Sequence, residues 1–240
     1  MISLSALELE ERRKYNNFVE FHNYGSDKYR EKQVDRICHS LGKVSERYVR
    51  ILSSMMLLKE IDPLRILKRT QDNNKVLDIG SGPGGVMNWL STYMSADVYG
   101  IDISDNFVNT LKANFPNLDP NKVFVCNARD LSIFEDSKFH IVQHCDGMEH
   151  IPDVWEVDCL KEAVRVSSRY IFYETSTGDA TADAWATRGY TYEGAHVNIK
   201  TGEEWLDFYK KHSEDMCYDI KDHYTNPEEN SFAIILEKRS

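Results

Sequence analysis

Two acids flank a run of glycines in this chain, and their spacing suits a nucleotide-like ligand. Asp78 stands two residues before Gly80, and the turn Gly80-Ser81-Gly82-Pro83-Gly84-Gly85 follows the apolar run Val76-Leu77-Asp78-Ile79. Glycine is needed in such a turn because the backbone takes unusual dihedrals and a ligand comes close where a Cβ would collide. The amides at the start of the next helix favour a polar or anionic ligand group. Asp102, about twenty residues further on, ends a second apolar run, where a carboxylate can accept from both hydroxyls of a ribose. A third polar stretch, His144-Cys145-Asp146-Gly147-Met148-Glu149-His150-Ile151-Pro152-Asp153, crowds titratable groups at the end of another apolar run. A histidine there can take a proton near neutral pH, and an adjacent carboxylate raises its basicity.

Bringing these three stretches together requires strands that run side by side. From residue 75 the pattern alternates strand and helix, which predicts a parallel sheet covered on both faces. Strands are expected at Lys75 to Ile79, Val98 to Ile101, Lys122 to Cys126, Phe139 to His144 and Arg169 to Glu174. The helices between them run from about Gly85 to Met94, from a Ser104 cap to about Phe115, and from Asp153 to about Val166. Thr201-Gly202-Glu203-Glu204 opens a further helix through about Lys211. Met216 to His223 and Ser231 to Glu237, separated by a turn at Asn226-Pro227-Glu228-Glu229-Asn230, read as an edge hairpin. In an open sheet of this kind the ligand lies beyond the carboxyl ends of the strands, near the reversal of strand order. All three polar stretches fall at such ends.

The pattern Asp78-x-Gly80-x-Gly82-x-Gly84, with Asp102 beyond it, resembles motif I of the class I S-adenosylmethionine-dependent methyltransferases. Dinucleotide sites place their glycines as G-x-G-x-x-G without the preceding acid. The resemblance covers about residues 70 to 240. It implies a Rossmann-like α/β fold, with a seven-stranded, mostly parallel sheet and an antiparallel last strand. It also implies S-adenosylmethionine as cofactor, with S-adenosylhomocysteine as its product. Asp78, Gly80, Ser81, Gly82 and Gly84 would hold the methionine part, and Asp102 with Ile103 the ribose. Asn127, Ala128 and Arg129 would flank the adenine, Asp130 would accept from its amine, and His144 and Cys145 would line the methyl-bearing side. Arg169 to Glu174 lacks the glycine pair that often precedes this strand in the family.

Asp146-x-x-Glu149-His150 further resembles the E-x-x-E-H segment of the ubiquinone-biosynthesis O-methyltransferases and of the small-RNA 3'-terminal 2'-O-methyltransferases. There these side chains hold a divalent cation, and in the RNA group a later histidine joins them; His196 occupies the comparable place here. Mixed oxygen and nitrogen ligation would suit Mg, Mn, Fe or Zn. The first ligand here is the shorter aspartate, however, and an E-H pair with a later histidine also occurs in class I enzymes that need no metal. A metal is therefore not favoured. Asp146, Glu149, His150 and His196 carry catalysis under either reading, with His150 or His196 as general base. Methyl transfer is an in-line displacement that needs donor and acceptor aligned and the acceptor's proton removed.

Around this core, Leu4 to about Leu67 carries helical periodicity in Val34, Ile37, Cys38, Leu41, Tyr48, Ile51, Leu52, Met55 and Met56. Residues 1–70 are thus expected as an N-terminal helical extension and 71–240 as the catalytic domain. The extension either packs on that domain or serves as a lid or dimer surface. Tyr24 and Tyr29 beside Gly25 are candidate substrate contacts, as are Trp185, Arg188, Tyr190 and Tyr192 in the long connection from Thr175 to Lys200. A ring or cation could meet those aromatics, which could equally fill a small satellite core.

Net charge of −10 over 240 residues, without a Lys or Arg run beyond three, argues against a general grip on nucleic acid. Five scattered cysteines without a C-x-x-C pair read as free thiols of a reducing compartment. Ile51 to Leu58 is too short to span a membrane, and Glu8, Glu10 and Glu11 oppose a signal peptide. A cytoplasmic, monomeric or homodimeric enzyme acting on an oxygen or nitrogen of a small molecule is the expectation. An RNA 2'-O-methyltransferase assisted by metal is the alternative within the class. From another class, a cofactor-binding regulatory or assembly protein would keep the fold without turnover.

Overall fold

Alternate residues of the strands feed two cores, one on each face of a sheet. In the computed structural model, which describes residues 75–82, 84–94, 96–177, 198–226 and 230–239, the first strand β1 (Lys75–Ile79) sends Leu77 and Ile79 to one face and Val76 to the other. This period of two is what a strand buried on both faces requires. The remaining strands are β2 (Asp97–Asp102), β3 (Val123–Val125), β4 (Phe139–Cys145), β5 (Ser167–Ser176), β6 (Tyr218–Asn226) and β7 (Ser231–Lys238). They form one seven-stranded sheet in the order β3-β2-β1-β4-β5-β7-β6. β1 to β5 are parallel, and β7 runs antiparallel to both β5 and β6.

Helices α1 (Gly85–Met94) and α2 (Asp105–Asn114) cover one face, where Met87, Leu90, Val108 and Leu111 meet Val76, Val98, Phe172 and Ile235. Helices α3 (Asp153–Val166) and α4 (Gly202–His212) cover the other. There Leu160, Ala163, Trp205, Phe208 and Tyr209 pack on Leu77, Val142, Ile171, Phe232 and Ile234. Local chemistry sets the helix starts. The Ser104 side chain accepts from the Phe107 amide at 3.3 Å, and Thr201 and Glu204 form a reciprocal capping box.

The sheet and its helices agree with the sequence-based reading to within a few residues. β5 is longer than expected, with ten residues rather than six, and β3 is shorter, with three rather than five. After Val125 the chain leaves the ladder, and the Cys126 amide donates instead to the Asp102 carbonyl at 2.9 Å. The expected N-terminal extension, residues 1–70, lies outside the described residues. Among the described residues no helix is long and apolar enough to cross a membrane.

Candidate active site

Strand order reverses between β1 and β4, so the connections leaving these neighbours part to opposite faces and leave a crevice at their carboxyl ends. The glycine turn opens this crevice. Gly80, Gly82 and Gly84 all have positive φ, but they answer to different neighbours. A Cβ on Gly80 would lie 3.2 Å from the His144 ring, and one on Gly84 would lie 2.5 Å from Leu111 Cγ of α2. A Cβ on Gly82 would meet nothing within 4 Å. Gly84 therefore serves helix packing, whereas Gly82 faces open space.

Asp102 ties the turn to the end of β2. Its Oδ2 accepts from the Gly82 amide and its Oδ1 from the Ser104 amide, each at 2.8 Å, while Ile103 between them is half-buried. The Ser81 amide donates to the Ile101 carbonyl at 2.8 Å. Asp78 pairs in register with Gln143 of β4, whose Nε2 donates to Asp78 Oδ1 at 2.9 Å. The second oxygen of Asp78 is buried without a partner, and so is the hydroxyl of Ser81. Burial pushes the Asp78 carboxyl up to about 7, with Gln143 opposing and Asp102 adding to the rise. Burial likewise raises Asp102 to about 6, against its backbone donors and the charge of His150.

At the end of β3, Asn127 closes a turn in which its side-chain oxygen accepts from the Arg129 amide at 3.0 Å. Ala128 packs on the core, and Arg129 reaches α3, 4.6 Å from the Trp155 ring and 3.0 Å from Asp158. Asp130 is exposed, and donors from Ser132 hold its carboxyl below the usual range.

The end of β4 forms the opposite wall. His144 is buried, and its ring fills the space that a Cβ on Gly80 or Gly147 would need. Burial, helped by the charge of His150, lowers its pKa to about 3, so it stays neutral. Cys145 is half-buried, and Asp146 is exposed with φ of 48°, its amide donating to the Glu174 carbonyl at 2.8 Å. A short 3-10 turn, Met148–His150, follows. Glu149 is 1% exposed, and its carboxylate accepts from the Thr175 hydroxyl at 2.7 Å and the Ser176 amide at 3.2 Å. His150 is half-buried, and its charge acts on both Asp102 and His144.

Residues 76–169 match the family model of the methyltransferase domain. This stretch is thus similar to a methyltransferase domain, and the sheet that carries it has the class I methyltransferase fold. The chain is 32% identical over 82 residues to the phosphoethanolamine N-methyltransferase of Plasmodium falciparum, covering 33% of this chain and 30% of that protein. The chain is also 34% identical over 97 residues to the chloroplastic tocopherol O-methyltransferase of Arabidopsis thaliana, covering 39% and 27%. The matches thus span less than a third of either curated relative. Among solved structures, the magnesium protoporphyrin IX methyltransferase of Synechocystis PCC 6803 with bound S-adenosylhomocysteine superposes with a TM-score of 0.56 at 14% identity. That match covers 97% of this chain and 95% of the other, and shows the fold.

Within this stretch, β1 and β2 bring Asp78, Gly80, Ser81, Gly82, Asp102 and Ile103 together, as expected from their spacing. His196 and the aromatic candidates Tyr24, Tyr29, Trp185, Tyr190 and Tyr192, with Arg188, lie outside the described residues. Among the described residues no three His, Cys, Asp or Glu side chains gather as a metal-sized group. Sequence reasoning missed Gln143, Thr175 and Asn198. Of these only Gln143 gave a signal, as a polar residue inside a strand that runs between buried neighbours.

Proposed function

We propose that the protein transfers a methyl group from S-adenosylmethionine to an oxygen or nitrogen of a small-molecule acceptor. The observation that carries this reading is the pair of buried, unpartnered polar atoms at the glycine turn, Asp78 Oδ2 and Ser81 Oγ, beside the Asp102 carboxylate and the open face of Gly82. Six other buried side-chain polar atoms among the described residues are also unpaired, but these two stand at a turn with an open face and so fit a ligand that brings its own donors. The cofactor's ammonium and ribose hydroxyls are such donors. Asp78 and Ser81 would hold the methionine end, and Asp102, steadied by the Gly82 and Ser104 amides, the ribose. The cofactor itself would supply an activated methyl on a sulfonium.

The acceptor side is the protein's task. His150, on the turn after β4, would take the acceptor's proton on an imidazole nitrogen, and His196 is the alternative base. The crevice wall formed by His144 and Gly147 would exclude water from the reacting end. An oxygen or nitrogen of a small molecule is supported by the relatives, one named for phosphoethanolamine and one for tocopherol.

Calorimetry with S-adenosylmethionine and S-adenosylhomocysteine tests the cofactor half, with and without chelator and added divalent metal. Micromolar binding is the expected result, and its absence under every condition would overturn the proposal. Labelled methyl transfer to phosphoethanolamine, phenols and RNA oligonucleotides tests the acceptor half. Transfer to RNA alone would replace the small-molecule reading. Alanine at His150 or at His196 should lower turnover with cofactor affinity kept, and unchanged turnover in both variants would remove the base assignment.

A further inference from the structure

Glu149 stands next to the histidine assigned to proton removal, yet its carboxylate is committed elsewhere. Both oxygens face donors of β5, and the residue is 1% exposed. Its main-chain carbonyl accepts from the Asn198 amide at 3.1 Å. Asn198 is itself buried and donates from its side chain to Glu156 of α3 at 2.7 Å. Lys200 completes the junction, 2.6 Å from Glu156 and 4.6 Å from the Trp205 ring of α4. One residue of a three-residue turn thus joins the carboxyl end of β5 to the chain that returns ahead of α4.

We propose that Glu149 is a positioning residue, which fixes the turn carrying His150 by binding Thr175 and Ser176 through its carboxylate and Asn198 through its carbonyl. The inference rests on the methyltransferase reading for the role of His150, and on geometry alone for the junction. A carboxylate that is 1% exposed and turned toward the Thr175 hydroxyl and the Ser176 amide offers no open face to an acceptor's proton or a cation. Loss of the carboxylate would leave the Thr175 hydroxyl buried and unpaired, at a cost greater than the bond is worth. The same carboxylate held in place pins the 3-10 turn at its middle residue, with Met148 anchored in the core on one side and His150 presented on the other. The neighbouring Gly147 admits the His144 ring, so the turn cannot shift without striking it.

The experiment removes the bond from its far side. Thr175 is fully buried, so a role for it in catalysis can run only through its partner. Thr175→Val, Thr175→Ser, Glu149→Gln and the double variant Glu149→Gln/Thr175→Val are compared in three readouts. These are amide hydrogen exchange at Ser176 and Asn198, the His150 imidazole titration by NMR, and S-adenosylhomocysteine affinity by calorimetry. Thr175→Val should speed exchange at both amides about tenfold and shift the His150 titration. Thr175→Ser should restore both, the double variant should be no worse than Glu149→Gln, and affinity should stay within about twofold of the parent. Wild-type exchange and titration in Thr175→Val, with His150 altered only when Glu149 itself is changed, would overturn the proposal. Failure of the parent protein to bind S-adenosylhomocysteine would count against the methyltransferase reading alone, because the exchange readout needs neither cofactor nor acceptor.

Discussion

The ends of β1 and β4 each present a buried acid, and the two acids are in opposite states. Asp78 has one oxygen on Gln143 and the other on nothing, whereas both oxygens of Glu149 are taken by β5. The difference separates the two halves of the crevice. Around the glycine turn the protein leaves polar capacity unused, as a preformed ligand site does. Around the 3-10 turn it spends that capacity on its own chain and obtains a fixed shape. An acid in a crevice is therefore read by what its second oxygen does, since position alone fits either role.

Substitutions in the glycine turn sharpen this contrast. Gly84→Ala should have the largest effect, because its methyl would lie 2.5 Å from Leu111 Cγ at a φ of +92°. Crowding and backbone strain together should cost about 3 kcal/mol. For a chain of this size that corresponds to a fall of about 6–12 °C in the thermal midpoint, followed by calorimetry or circular dichroism. Asp102→Asn comes next. Weakening the charged acceptor should cost about 2 kcal/mol of binding, roughly 30-fold in S-adenosylhomocysteine affinity, with less change in the thermal midpoint. If both variants lose stability equally and binding not at all, the turn is a structural corner and the contrast fails.

A smaller effect follows from protonation. Asp78 and Asp102 are raised to about 7 and about 6 from an ordinary 3.8, so the folded protein keeps protons that the unfolded chain releases. Their contribution to stability is fully present below about pH 4 and is lost as pH rises through 6 to 7. The stability of the unliganded protein minus that of Asp78→Asn should therefore fall over that window. Cofactor affinity should move the other way and rise by about tenfold from pH 5.5 to 7.5, since the ionised carboxylates are the better acceptors. Proton release on binding, measured in buffers of different ionisation enthalpy, checks the sign. The smallest stability change is expected for Gly82→Ala. Its methyl meets open space, leaving only the strain of a φ of +50°, about 1 kcal/mol. Affinity should suffer more than that strain, because the methyl occupies the face on which a ligand would lie.

How far the sequence could be read also divides along this line. The strands, the helix starts at Ser104 and Thr201 and the gathering of Asp78, Gly82 and Asp102 depend on local spacing, and each was legible. The partners of Glu149 were not. Thr175 and Asn198 lie far along the chain, and only the packing of β5 and α3 brings them to the turn. A Glu-His pair after a strand has the same appearance whether its carboxylate faces a ligand or the protein. His144 posed the same difficulty. It stands where a ligand-facing residue is expected, but two glycines, Gly80 and Gly147, leave a slot that its ring fills. Asp130 fits the adenine position by order along the chain, while its side chain is engaged by Ser132 two residues on.

The place of β7 has a consequence for biosynthesis. Residues 231–238 lie between β5 and β6, with Phe232, Ile234 and Leu236 entering one core and Ala233 and Ile235 the other. Neither core can close while these residues remain inside the ribosome, although the glycine turn has emerged long before. Until they emerge the nascent chain must carry exposed strand edges, and chaperone protection in that interval is to be expected.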